Sequence, residues 1–141
     1  MPHIDVFLEN GYTKEEEKMI NETRKILHDD SLKITATTAR VPVFYGHSES
    51  INVELKNEFD VKDIFGLYSC AENIVLKDDP STLSYPTPLE AAGHDEVYVG
   101  RIRRDFSLDN GLNLWVVADN IRKGAASNAI QIAEWIIKNM K

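Results

Sequence analysis

From Ile51 to Lys56 apolar and polar residues alternate one for one, with Ile51, Val53 and Leu55 set against Asn52, Glu54 and Lys56. A period of two sends these groups to opposite faces of an extended chain, so the segment predicts a strand with one buried and one wet face. More strand material is expected at Lys33–Thr38, Val41–Tyr45, Ile74–Leu76, Glu96–Arg104 and Leu112–Ala118. Pro42 excludes a fully paired central position, and Gly46 marks a bend. Asp109-Asn110-Gly111 has the residue types of a hairpin turn between the last two strands.

Helices are expected before, within and after this run. Thr13 and Glu16 have capping-box spacing, which starts a helix running to Leu27, with Met19, Ile20, Ile26 and Leu27 as its apolar stripe. Asp60 caps a second helix, Asp60–Ala71, with Val61, Ile64, Phe65 and Tyr68 facing inward. A third runs from about Asn120 to Met140. Asp78–Gly93 carries Pro80, Pro86 and Pro88, which remove backbone donors, and is expected to be a long ordered loop serving a site or an interface. This order predicts an α+β domain on a mainly antiparallel, mixed sheet with helices packed on one face. No linker composition divides the chain.

The 141 residues hold 16 Lys and Arg against 23 Asp and Glu, a formal charge of −7 with no basic cluster. This balance points away from nucleic acid and from anionic membranes as partners. No apolar run reaches the ~20 residues of a spanning helix, and the start lacks the pattern of a secretory signal. The single cysteine, Cys70, forms no intramolecular disulfide, and a cytoplasmic location is expected. The glycine-rich nucleotide motifs and His-Glu-x-x-His are missing, and the scattered His3, His28, His47 and His94 predict no metal site.

One stretch stands out, Thr38-Ala39-Arg40-Val41-Pro42-Val43-Phe44-Tyr45-Gly46-His47-Ser48. A planar guanidinium suits bidentate capture of a carboxylate, and a histidine beside a glycine bend titrates near neutrality within reach of a substrate. The ordinary alternatives are a buried salt bridge for Arg40 and an exposed turn residue for His47.

At these residues the chain resembles bacterial aspartate-semialdehyde dehydrogenase. Besides Arg40-Val41-Pro42-Val43 and Gly46-His47-Ser48, the resemblance rests on Pro2-His3-Ile4-Asp5, Glu22–Leu27, Tyr85-Pro86-Thr87-Pro88, Val99–Arg103 and Asp119–Ala126, in order along the whole chain. The resemblance implies a C-terminal domain like that of glyceraldehyde-3-phosphate dehydrogenase-type enzymes. Residues 1–119 would be the substrate-binding and dimerisation domain, and 120–141 a helix that packs on the family's nucleotide-binding domain.

It also implies the reduction of L-aspartyl 4-phosphate with NADPH to aspartate semialdehyde and phosphate, for lysine, threonine, methionine and isoleucine synthesis. In the family a cysteine thiolate attacks the acyl phosphate, and hydride then reduces the thioester. Carried over residue by residue, Arg40 holds the α-carboxylate and His47 is the general acid/base. Glu15 meets the substrate amine, Lys18 the phosphate, and Asn120 contacts the NADP nicotinamide. A homodimer is implied.

Other roles compete. Glu15 in a first turn favours any helix dipole, and Asn120 is an acceptable N-cap. Arg101 and Arg103 fall on one strand face, where carboxylate pairing or a dimer contact would explain them. Cys70 does not match the nucleophile, which lies upstream in the family, nor is the family's nucleotide-phosphate loop contained in these residues. The chain alone is therefore expected to be inactive. The alternative is a non-catalytic dimerisation module. N-acetyl-glutamyl-phosphate reductase, a related enzyme, fits the Glu15, Lys18, Arg40, His47 spacing less well.

Overall fold

The Thr13 hydroxyl accepts the Glu16 N–H at 3.3 Å while the Glu16 carboxylate accepts the Thr13 N–H at 2.8 Å, so the expected capping box opens helix α1, Lys14–Leu27. In this computed structural model, which describes residues 1–140, α1 belongs to the first of two compact units, Met1–Pro42. The expected apolar stripe is only partly used. Met19 and Ile20 are half-buried, whereas Ile26 and Leu27 stay 72% and 60% exposed. The buried side chains of α1's start are polar: Thr13 and Glu16, with Thr38 beside them. Glu16 also accepts the Thr38 N–H at 2.7 Å, and these backbone donors hold its carboxyl below the usual range.

Lys33–Thr38 and Val41–Tyr45 form no strand, which corrects the expectation from their β-branched composition. Their backbone groups find partners outside any sheet. Thr38 donates to Glu16, and the Met1 and Arg40 backbones exchange hydrogen bonds of 2.9 and 2.8 Å.

The second unit starts at Val43 and holds a four-stranded sheet. Its elements are β1 His47–Glu54, α2 Val61–Cys70, β2 Ile74–Leu76, α3 Pro88–Ala91, β3 Val97–Asp105, β4 Gly111–Ala118 and α4 Ser127–Asn139. The strand order is β1-β4-β3-β2, antiparallel except for the parallel β2–β3 pair. The architecture is the expected α+β fold on a mainly antiparallel, mixed sheet. Val99, Ile102, Leu112 and Leu114 form the buried core, and Val61, Ile64, Phe65 and Tyr68 of α2 pack on it with Ile51, Val53 and Leu55. Asp60 caps α2 by accepting the Lys62 N–H at 2.9 Å.

The proline segment carries more order than a loop. A 3-10 turn spans Pro80–Thr82, and α3 begins at Pro88. Both place proline in the first helical turn, where the missing N–H has no partner to lose. Pro86 covers the sheet opposite α2, accepting the Trp115 indole N–H at 3.0 Å. A Cβ on Gly100, paired with Trp115, would stand 2.2 Å from the Lys77 carbonyl and 2.6 Å from Pro86 Cδ, so the close approach requires glycine.

β3 is bulged between Gly100 and Arg103, with Arg101 in the left-handed region at φ 54°. Asp78 satisfies the bulge by accepting the Ile102 N–H at 2.7 Å. The β3–β4 connection, residues 106–110, is held by Asp105, which accepts the Ser107 N–H and hydroxyl at 2.9 and 2.7 Å.

The final helix does not start at Asn120. Asp119 takes the capping place, accepting the Ile121 and Arg122 N–H at 2.9 and 3.1 Å, and a π-helical turn, Arg122–Ala126, precedes α4. No helix among the described residues is long and apolar enough to cross a membrane.

Candidate active site

The first unit carries Glu15, Lys18 and Arg40. Glu15 and Lys18, one helical turn apart on α1, form an ion pair of 3.3 Å at the surface. Arg40 is exposed and enters no ion pair among the described residues, so the buried salt bridge that would have explained it ordinarily is absent. Its backbone is fixed through Met1, and its guanidinium has a free fork for a planar anion.

The second unit carries His47 and Asn120 and brings them together. His47 opens β1, paired with Ala118 at the end of β4. Gly46, just before it, has φ +96°, and its N–H donates to Asn120 Oδ1 at 3.2 Å. Asn120 is thus bonded to the turn that precedes the histidine, in place of capping a helix.

His47 Nε2 lies 3.0 Å from Glu49 Oε1. Residues two apart on a strand share a face, so β1 aligns this pair by its pleat. The hydrogen bond from His47, with its charge, holds the Glu49 carboxyl below the usual range. By reciprocity the carboxylate favours the imidazolium and fixes the ring through Nε2. A histidine so held can take and return a proton, whereas Arg40 and Lys18 can only bind anions.

Glu49 was missed from sequence, because the strand was expected to begin at Ile51, whereas β1 begins at His47 and puts the two residues on one face. Asp119 was missed too. It is 5% exposed and accepts the N–H groups of Gly93, Ile121 and Arg122, which hold its carboxyl below the usual range. A capping residue type at the end of a strand was the signal there.

Arg122 grips Asp95 through Nε and Nη2, both at 2.8 Å, and Ser127 donates to the same carboxylate. Arg122 first and Ser127 next push Asp95 down to about 2.

Arg101 and Arg103 make no ion pair among the described residues, so of the two explanations, carboxylate pairing or a dimer contact, the first is not seen, although the Arg103 charge helps to hold the Asp105 carboxyl down. Both arginines line an open cavity of about 440 Å³ with Ser50, Tyr85 and Trp115. Cys70 is exposed at the end of α2, its thiol donating to the Gly66 carbonyl at 3.0 Å, and is not the buried small hydrophobe that free cysteines commonly are.

The family model described as semialdehyde dehydrogenase, dimerisation domain, matches residues 1–123. The chain belongs to the semialdehyde dehydrogenase family. Within that family it is 55% identical over 138 residues to aspartate-semialdehyde dehydrogenase of Aquifex aeolicus, covering 98% of this chain and 41% of the relative. Identity to the enzyme of Legionella pneumophila is 56% over 135 residues, 95% of this chain and 39% of that one. The crystal structure of aspartate semialdehyde dehydrogenase II from Vibrio cholerae, also solved complexed with ASA, superposes with a TM-score of 0.91 at 47% identity. That match covers 99% of this chain and 41% of the Vibrio chain. This semialdehyde dehydrogenase domain thus spans about two-fifths of the length of the relatives it matches, their C-terminal portion.

Proposed function

We propose that the chain is the substrate-binding and dimerisation part of an aspartate-semialdehyde dehydrogenase, which reduces L-aspartyl 4-phosphate to L-aspartate 4-semialdehyde and phosphate. The observation that carries this reading is 55% identity along 98% of the chain to a relative of that name. The proposed setting is cytoplasmic synthesis of lysine, threonine, methionine and isoleucine.

In this reading Arg40 binds the substrate α-carboxylate through its planar fork, Glu15 meets the amine and Lys18 the phosphate. Their opposite charges on one helical face suit a substrate with an ammonium and an anionic leaving group. His47 takes the proton from the attacking thiol, whose new bond to the acyl carbon expels phosphate; it then protonates the oxygen of the tetrahedral adduct left by hydride addition and takes that proton back as the adduct collapses to aldehyde and thiolate. Glu49 holds that ring and stabilises its charged form.

NADPH supplies the hydride when bound. The Asn120 side chain fits a nicotinamide contact, because its oxygen is used by Gly46 and its Nδ2 donor makes no other hydrogen bond among the described residues. The binding of the phosphates and adenosine would fall to the N-terminal nucleotide-binding domain of such enzymes. α4 supports that division: Ile130, Trp135 and Ile137 are 59%, 65% and 78% exposed, an apolar surface for that domain to cover.

The only cysteine, Cys70, stands on α2, whereas His47 opens β1. Without the family's thiol the histidine has no nucleophile to activate, so the 141 residues alone are proposed to be inactive. The dimerisation-domain match supports a homodimer as the working assembly. The test is phosphate-dependent NADP reduction with aspartate semialdehyde, using this chain combined with the N-terminal part of a relative. His47→Ala is expected to lower kcat by about 10² to 10⁴. Full activity in that variant contradicts the assignment.

A further inference from the structure

We propose that Asn120 is a positioning residue for His47, acting through the Gly46 N–H to fix the turn that presents the imidazole. The proposal rests on the reading of His47 as the acid/base and adds a second task to Asn120. The β1–β4 ladder ends at the His47–Ala118 pair. Beyond that rung no further β1–β4 pair forms, and the Gly46 N–H has no ladder partner. Instead it meets Asn120 Oδ1 at 3.2 Å, across 74 positions of sequence. Because an N–H only donates, the oxygen of the amide must face it and Nδ2 must face away. One side chain thus extends the ladder past its last rung while keeping a donor for a ligand.

Both ends of this bond are themselves held. Gly46 at φ +96° adopts a conformation that side chains disfavour, and a Cβ there would stand 3.2 Å from Pro88 Cβ. The turn is therefore built tight against the start of α3. Asn120 is set by its neighbour Asp119, which is buried and tied to the backbone of Gly93, Ile121 and Arg122. Gly93 lies just past α3, so the same short helix braces the corner from both sides. Three segments distant in sequence meet there, and the histidine is the first residue of β1 after the junction.

Asn120→Asp keeps an acceptor for Gly46 and removes the amide donor, whereas Asn120→Ala removes both. Amide hydrogen exchange on this chain is predicted to run at least about tenfold faster at Gly46 in Asn120→Ala and near the wild-type rate in Asn120→Asp, with Val99 and Leu114 unchanged. Equal Gly46 exchange in wild type and Asn120→Ala overturns the proposal. Should the alanine variant fail to fold, wild-type Gly46 must still exchange at least about tenfold more slowly than the fully exposed Phe44; equal rates overturn it. In the assembled enzyme both variants are predicted to raise KM for NADP, and Asn120→Ala to lower kcat further than Asn120→Asp does. Equal kcat losses in the two variants would mean that the amide donor, not the Gly46 contact, matters. If Gly46 behaves as predicted but His47→Ala stays active, the reading of His47 fails and the strap stands.

Discussion

A proton-transfer role for His47 depends on how its ring is held, and Glu49 is the side chain that holds it, 3.0 Å away on the same face of β1. The hydrogen bond and charge from His47 hold the Glu49 carboxyl down. His47→Ala is therefore predicted to raise the Glu49 midpoint in an NMR titration; an unmoved midpoint contradicts the pairing. Residue identity was legible here only in part. Arg40 and His47 stood out because guanidinium and imidazole at an apolar strand and a glycine bend need partners. Glu49, Asp119 and the Asn120–Gly46 contact were not, because each depends on which backbone amide or ring is left without a partner once strands pair. That Arg101 and Arg103 make no ion pair among the described residues could not be read either, because which carboxylates come within reach is decided only once the strands pair.

Among the elements, α1, α2 and the sheet strands followed from caps and periodicity, because local rules and burial agree there. Lys33–Thr38 did not, since β-branched composition favours a strand only where a neighbour offers a ladder. The short α3 was hidden by the prolines that start it. Two glycines give a sharp contrast in packing. Gly100→Ala drives a methyl into the Lys77 carbonyl and Pro86, and is predicted to destabilise by about 3 kcal/mol or more in urea unfolding. Gly66→Ala, in α2 with open space at its Cβ, is predicted to stabilise by about 0.5–1 kcal/mol. The start of the last helix is pinned by Asp95, whose carboxyl sits near 2 instead of the ordinary 3.8. A lowered carboxyl pKa contributes stability that is complete above about 3.8 and is lost as pH falls through about 2. Asp95→Asn should flatten the fall in urea midpoint over that window; an unchanged pH slope contradicts the pairing with Arg122.

At the scale of the whole molecule, the residues proposed for catalysis divide between two compact units, Glu15, Lys18 and Arg40 in one and His47 and Asn120 in the other. The join at Pro42 and Val43 lies in an apolar stretch without linker composition, which is why it was not legible from composition. The dimerisation-domain match predicts self-association, so sedimentation should return twice the 16.0 kDa chain mass, and a monomer at every concentration would contradict it. On the proposed function, the chain carries a competent half of an active site. This is tested most directly by phosphate-dependent NADP reduction with aspartate semialdehyde, measured on the chain alone and then with the N-terminal part of a relative added. No turnover is expected from the chain alone and turnover from the mixture; activity in the chain alone, or silence in a mixture whose parts are folded and associated, would contradict the proposed half-site.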